Sequence, residues 1–161
     1  ANALASAPEL IKAVHTDYFA AGADCAITAS YQASVEGFQK KGFSEAEAER
    51  LIRLSVALAK EARDHFWQNH SAEQRPKPLI AASVGPYGAF LADGSEYRGD
   101  YTVDEAFLQE FHRKRIGLLA GSQARRAGLR NHSLPDGSTG YCACAAAMAG
   151  SVRLDQFFLS G

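Results

Sequence analysis

The sequence is poor in the features that mark specialised classes of protein. Its three cysteines, Cys25, Cys142 and Cys144, are an odd number without framework spacing, which argues against a disulfide scaffold and suits a reducing compartment. No apolar run approaches the roughly 20 residues that a membrane-spanning helix needs. No charge of one sign dominates: 17 basic residues stand against 18 acidic ones and are spread along the chain. That leaves no electrostatic footprint for nucleic acid or an anionic membrane. The segment Ala1 to Pro8 lacks the charged-then-apolar pattern of a signal peptide and has no initiator methionine. The chain is therefore expected to begin inside a longer one and to reside in the cytoplasm.

What is present reads as alternating helices and strands. Pro8 suits the first turn of a helix, where no N–H donor is needed, and Gly22 suits its C-terminal cap. Between them Leu10, Ile11, Val14 and Tyr18 recur at helical spacing. Cys25 to Ala29 has the length and apolar character of a buried strand, with Cys25 expected in the core. Ser44 and Glu47 fit a capping box that opens a helix through Leu51, Ile52, Leu54, Ser55 and Leu58, expected to reach Phe66. Pro76 and Pro78 place a loop over 67–78, and Leu79 to Val84 reads as a second buried strand. A Gly- and Tyr-rich loop is expected over 85–101. Thr102 and Glu105 then suggest another capping box, opening a helix with Phe107, Leu108, Phe111, Arg115 and Leu119 near one face. This order predicts parallel βα units with both sheet faces covered, as a doubly wound sheet or a (β/α)8 barrel would supply. A complete barrel needs about 250 residues, so this chain is expected to hold only part of one. From Gly121 onward neither period is sustained, and residues 122–161 are expected to be an irregular, poorly ordered tail.

In parallel α/β folds ligands meet the C-terminal ends of the strands. Ser30, Tyr31 and Gln32 stand at the end of the first strand; Gly85, Pro86, Tyr87 and Gly88 stand at the end of the second. Their hydroxyl, phenol and carboxamide groups can orient a small zwitterion, and the two glycines let backbone approach a ligand. The same tyrosines can equally cap the core with satisfied hydroxyls. Cys142 and Cys144 are too close for paired zinc spacing. His65, His70 and His112 have no partner at ligand spacing and are expected to face solvent. Asp93, Glu96, Arg98 and Asp100 read as a mutually paired or solvated loop. No nucleophile with an identifiable base is visible, so no catalytic residue is assigned.

The run from Ser83-Val84-Gly85-Pro86-Tyr87-Gly88 through Tyr97-Arg98-Gly99-Asp100-Tyr101 resembles the signature loop of homocysteine S-methyltransferases, in particular the branch that uses S-methylmethionine. Ala26 to Ala33 is similar to that family's preceding strand-end motif, and Phe111-His112-Arg113 through Ile116 to its following helix. The resemblance implies a zinc-dependent (β/α)8 barrel, of which residues 1–121 would hold roughly strands two and three. It implies methyl transfer from S-methylmethionine or S-adenosylmethionine to homocysteine, giving methionine. In that family a cysteine-bound zinc holds homocysteine as its thiolate, because a coordinated thiol loses its proton. Tyr31 matches a tyrosine that lines the substrate pocket, with Ser30, Gln32 and the Gly85–Gly88 loop beside it.

The sequence also departs from the family. An Asp-Gly-Ala-type first strand and the Asn-Cys and Gly-Gly-Cys-Cys zinc motifs do not occur, so the ligand cysteines are absent from this chain. Where a Cys-Glu-Thr-Ile-Pro-type motif is due, the chain reads Leu129-Arg130-Asn131-His132-Ser133. If the coding triplets are read one base later, those five residues can become Cys-Glu-Thr-Ile-Pro, for instance from CTG-CGA-AAC-CAT-TCC followed by C. The same shift can turn Leu154 to Phe158 into Trp-Ile-Ser-Phe-Ser, the family's next strand, at the right separation. A one-base frameshift between about Gly121 and Leu129 is therefore expected, which makes 122–161 an out-of-frame tail and the chain an inactive copy. A barrel cut short also exposes sheet edges, so self-association is expected. Two other readings stay open: a non-catalytic remnant, and a small α/β ligand-binding module.

Overall fold

The computed structural model describes residues 2–70, 75–99 and 101–122, and the backbone of 126–129 and 144–145. The elements in chain order are α1 (Asn2–Ser6), α2 (Pro8–Ala20), β1 (Cys25–Ile27), α3 (Val35–Gln39), α4 (Glu45–His70), β2 (Leu79–Val84), α5 (Tyr87–Leu91), a 3-10 turn (Ser95–Tyr97), α6 (Glu105–Gly121), β3 (Arg126–Leu129) and β4 (Cys144–Ala145).

Local chemistry sets most of the boundaries. Pro8 opens α2, and Gly22, at φ +100°, turns the chain out of it. The Ser44–Glu47 box closes on itself: the Ser44 amide donates to Glu47 Oε2 at 2.9 Å, and the Glu47 amide donates to Ser44 Oγ at 3.3 Å. Its helix, α4, runs 26 residues to His70, one turn past the expected Phe66. The start of α6 differs from expectation. Asp104, not Thr102, is the N-cap, its carboxylate accepting from the Phe107 amide at 2.8 Å, while Glu105 accepts from Gln109 instead. A carboxylate one residue before the first turn also meets the positive end of the helix, which favours it over a hydroxyl farther out.

The sheet order is β1-β2-β3-β4. β1 and β2 are parallel with Cys25, Ala26 and Ile27 opposite Leu79, Ile80 and Ala81. β2 and β3 are parallel with Ala81–Val84 opposite Arg126–Leu129, and β4 pairs antiparallel to β3. The expected irregular tail is thus corrected at two places, since 126–129 and 144–145 are strands. The free edge of β2 presents backbone N–H and C=O groups that any peptide can satisfy, with or without side-chain periodicity. The rest of the tail lies outside the described residues.

The helices pack on one face of the sheet. Ala26 and Ile80 are buried against Phe19 of α2 and Ala59, Ala62 and Phe66 of α4. Ala82 and Val84, on the same face, are buried against Leu51, Ile52 and Val56 of α4 and Ile116 and Leu119 of α6. Each buried Val, Leu, Ile or Phe among them contributes about 1.5–3 kcal/mol. Among the described residues no helix covers the other face, which differs from the expectation of a sheet covered on both sides. Cys25 and Ile27 are exposed there, so Cys25 is a surface residue and not a core one. Period two decides this: Ala26 points into the helices, and its neighbours must point away.

Candidate functional site

The two candidate segments meet at the C-terminal ends of β1 and β2. The Gly85 amide donates to the Tyr31 carbonyl at 2.9 Å. A Cβ on Gly85 would lie 2.5 Å from that carbonyl oxygen and 3.1 Å from the Tyr31 ring, so only glycine allows this approach. Gly88 is equally confined. A Cβ there would lie 2.3 Å from the Glu96 amide nitrogen, because the Ser95–Tyr97 turn folds back over α5. Both glycines serve close backbone contact, not a special φ.

Behind them a ring of hydroxyls fixes the strand ends. The Ser83 amide donates to Thr28 Oγ1 at 3.0 Å, and Thr28 and Ser30 hydroxyls are 2.7 Å apart. Ser30 Oγ donates to the Ser83 carbonyl at 2.7 Å. Since that uses Ser30's one proton, Thr28 is the donor to Ser30. Ser30 is wholly buried, so its hydroxyl braces the scaffold.

Tyr31 is partly buried and its hydroxyl donates to Glu96 Oε2 at 3.4 Å, while Gln32 is exposed. Glu96 therefore belongs to the rim of the site, more than to a solvated loop. Within the expected loop, Tyr87–Leu91 is helical and Ser95–Tyr97 forms a 3-10 turn. Tyr87 is the hub of an aromatic cluster, its ring 5.0 Å from Phe111, 5.4 Å from Phe107 and 5.5 Å from Phe90 and Tyr101. These contacts fasten the loop to α6. Asp93 accepts from the Ser95 amide at 2.8 Å, which holds its carboxyl below the usual range.

Two residues of α6 were not among the sequence candidates. Arg115 is buried, and its guanidinium donates to the carbonyls of Gly85 and, at 3.4 Å, Ala33. It also donates to His112 Nδ1 at 3.0 Å. His112 is thus half-buried, not solvent-facing as expected, and burial with the adjacent cation pushes its pKa down to about 4. His65 is exposed, and His70 stacks on Phe66 with ring centroids 4.1 Å apart. A cation on an otherwise apolar helix face was the signal for Arg115.

The donor chemistry for zinc is not assembled by these residues. Among the described residues no three His, Cys, Asp or Glu side chains come together to hold a metal ion, and Cys25 is an exposed free thiol. Cys142 and the side chain of Cys144 lie outside the described residues.

Comparison with known proteins identifies the family. A family model described as homocysteine S-methyltransferase matches residues 1–128. The chain is 66% identical over 120 residues to homocysteine S-methyltransferase YbgG of Bacillus subtilis, covering 74% of this chain and 38% of that protein. It is 51% identical over 124 residues to the homocysteine S-methyltransferase of Escherichia coli, covering 77% and 39%. The solved metallated form of the Escherichia coli homocysteine methyltransferase MmuM superposes with a TM-score of 0.76 at 47% identity, over 83% of this chain and 46% of that one. The chain spans less than half the length of these relatives. On the strength of the family match and these identities, the chain belongs to the homocysteine S-methyltransferase family.

Proposed function

We propose that this chain is the substrate-lining part of a (β/α)8 homocysteine S-methyltransferase and that it is inactive by itself. The observation that carries the reading is the direct contact between the two strand-end motifs, Gly85 N–H to Tyr31 C=O, in a parallel pair of strands. Helices on one face of the sheet support a barrel over a doubly wound sheet, in which both faces carry helices. The opposite face is then the barrel interior, and the groove of about 550 Å³ along α2 and the free edge of β1 is where a neighbouring βα unit packs. Leu10, Val14, Tyr18 and Ile27 are all exposed along it.

In this reading Tyr31, Gln32 and the Gly85–Gly88 loop border a homocysteine pocket, with Glu96 at its rim. Ser30 acts one layer behind, by holding the strand ends. The methyl donor is S-methylmethionine or S-adenosylmethionine. The described residues do not form a zinc site, so what they contribute in this reading is to bind and orient the amino acid. The end of the family match at residue 128 supports a frameshift close to that point.

The test is methionine formation from homocysteine and S-methylmethionine. Three proteins are compared: this chain, a frame-corrected version, and a full-length reconstruction that supplies the first strand and the zinc motifs. Only the last is expected to turn over. Turnover by the present chain above a no-protein control overturns the reading.

A further inference from the structure

We propose that Arg115 is a positioning residue: its guanidinium holds a backbone carbonyl from each strand-end loop, Ala33 after β1 and Gly85 after β2, and thereby fixes the spacing between Tyr31 and the Gly85–Gly88 loop. The proposal deepens the functional reading above and rests on it for the identity of the pocket.

The argument begins with cost. Arg115 is 1% exposed, yet among the described residues no carboxylate pairs with it. Glu36 acts on it only through space. Burial lowers its pKa to about 10, which still leaves it charged at neutral pH. Among the described residues its Nε–H has no hydrogen-bond partner. Burying a cation without a counter-charge is expensive, and an apolar side chain of similar volume would serve packing better. What the guanidinium supplies is reach: a planar fork whose two ends meet acceptors on different loops.

The acceptors are informative. Gly85 is gripped from both sides, its amide donating to Tyr31 and its carbonyl accepting from Arg115. Ala33 stands two residues beyond Tyr31, so the fork spans the loop pair that defines the site. His112, neutral in this setting, accepts a third bond and steadies the fork, and the Phe111 ring lies 5.2 Å from it. The same helix face that anchors Tyr87 through aromatic contact therefore also anchors the loop's first residue through charge.

The experiment follows amide exchange by NMR in this 161-residue chain and its Arg115→Met and Arg115→Lys variants. The Gly85 amide reports the loop; the Ile80 and Ala82 amides of β2 report the core. Arg115→Met is expected to speed Gly85 exchange about tenfold while Ile80 and Ala82 stay within about twofold. Arg115→Lys, which keeps the charge but loses the fork, is expected to fall between. Should Arg115→Met not fold, Arg115→Lys carries the comparison against wild type. The proposal is overturned if Gly85 does not change, if all three amides speed up together, or if lysine behaves as wild type. A homocysteine titration of the wild-type chain separates the two readings. Loosening of Gly85 without any homocysteine-induced shift at Tyr31 or Gly85 leaves the positioning role standing and removes the pocket assignment.

Discussion

Ser30 and Ser83 join β1 to β2 through a single 2.7 Å hydrogen bond from the Ser30 hydroxyl to the Ser83 carbonyl, closed into a ring by Thr28. Removing the Ser30 hydroxyl leaves a buried carbonyl and the Thr28 hydroxyl without their partners. An unsatisfied buried polar group costs about 1–3 kcal/mol. Ser30→Ala is therefore expected to lower the urea midpoint by that equivalent. Thr28→Val should cost a similar amount, and the double variant less than their sum, because one ring is lost only once. Additive losses would show that the ring does not act as a unit.

Gly88→Ala is expected to be more damaging than its chemistry suggests. The new methyl would sit 2.3 Å from the Glu96 backbone nitrogen, and backbone cannot swing aside as a side chain can. Overpacking of this kind costs about 1–3 kcal/mol or more. The change should be local, with increased protease cleavage within 93–99 and unchanged protection in α4. Gly117, whose Cβ would meet nothing within 4 Å, is the control: Gly117→Ala should stabilise by up to about 1 kcal/mol, as alanine favours a helix. Equal effects at the two glycines would contradict the packing described.

His112 predicts the direction of the acid response. Its pKa is depressed to about 4 in the folded chain, against about 6.5 unfolded. Between those values the unfolded state binds the proton and the folded state does not, so stability is full above pH 6.5 and falls as the pH drops toward 4. The loss from this residue approaches about 3 kcal/mol. Urea unfolding across that window should show the fall, and His112→Gln should flatten it. A slope unchanged in His112→Gln would assign the response to other groups.

The free edge of β1 predicts association. Ile27 and Tyr18 are more than half exposed beside an unpaired strand edge, a surface that favours edge-to-edge contact. The 161-residue chain is expected to sediment as oligomers at micromolar concentration, and Ile27→Lys to shift it toward monomer, since a charge at a strand edge blocks pairing. A monodisperse monomer in the unaltered chain would show that the edge is already protected.

Much of the fold was legible because it is local. β2 was read with its observed bounds, Leu79–Val84, since a continuous apolar run between prolines and a glycine has few other readings. The Ser44–Glu47 box was read for the same reason. Cys25 was misread because apolar content says that a strand is buried but not which faces are covered. α3 went unread: five residues with Ser34 as N-cap, accepting from Gly37 at 3.0 Å, carry too little periodicity. Of the site, the strand-end location followed from topology. Which hydroxyl faces inward did not, because Ser30 and Tyr31 differ only in the side of the chain they occupy. Arg115 lies 30 residues from Gly85, and no spacing rule connects a guanidinium to a carbonyl at that range.

The ladder that sets Val84 opposite Leu129 and Ala81 opposite Arg126 is built from peptide N–H and C=O groups, a donor and acceptor that every residue but proline possesses. A strand recruited in that way takes its position from the template beside it and not from its own side chains. If the reading frame is altered there, the backbone still arrives at the right address while the chemistry it should deliver has been exchanged for something else. The backbone geometry of a sheet can then outlast a change in the side chains it carries.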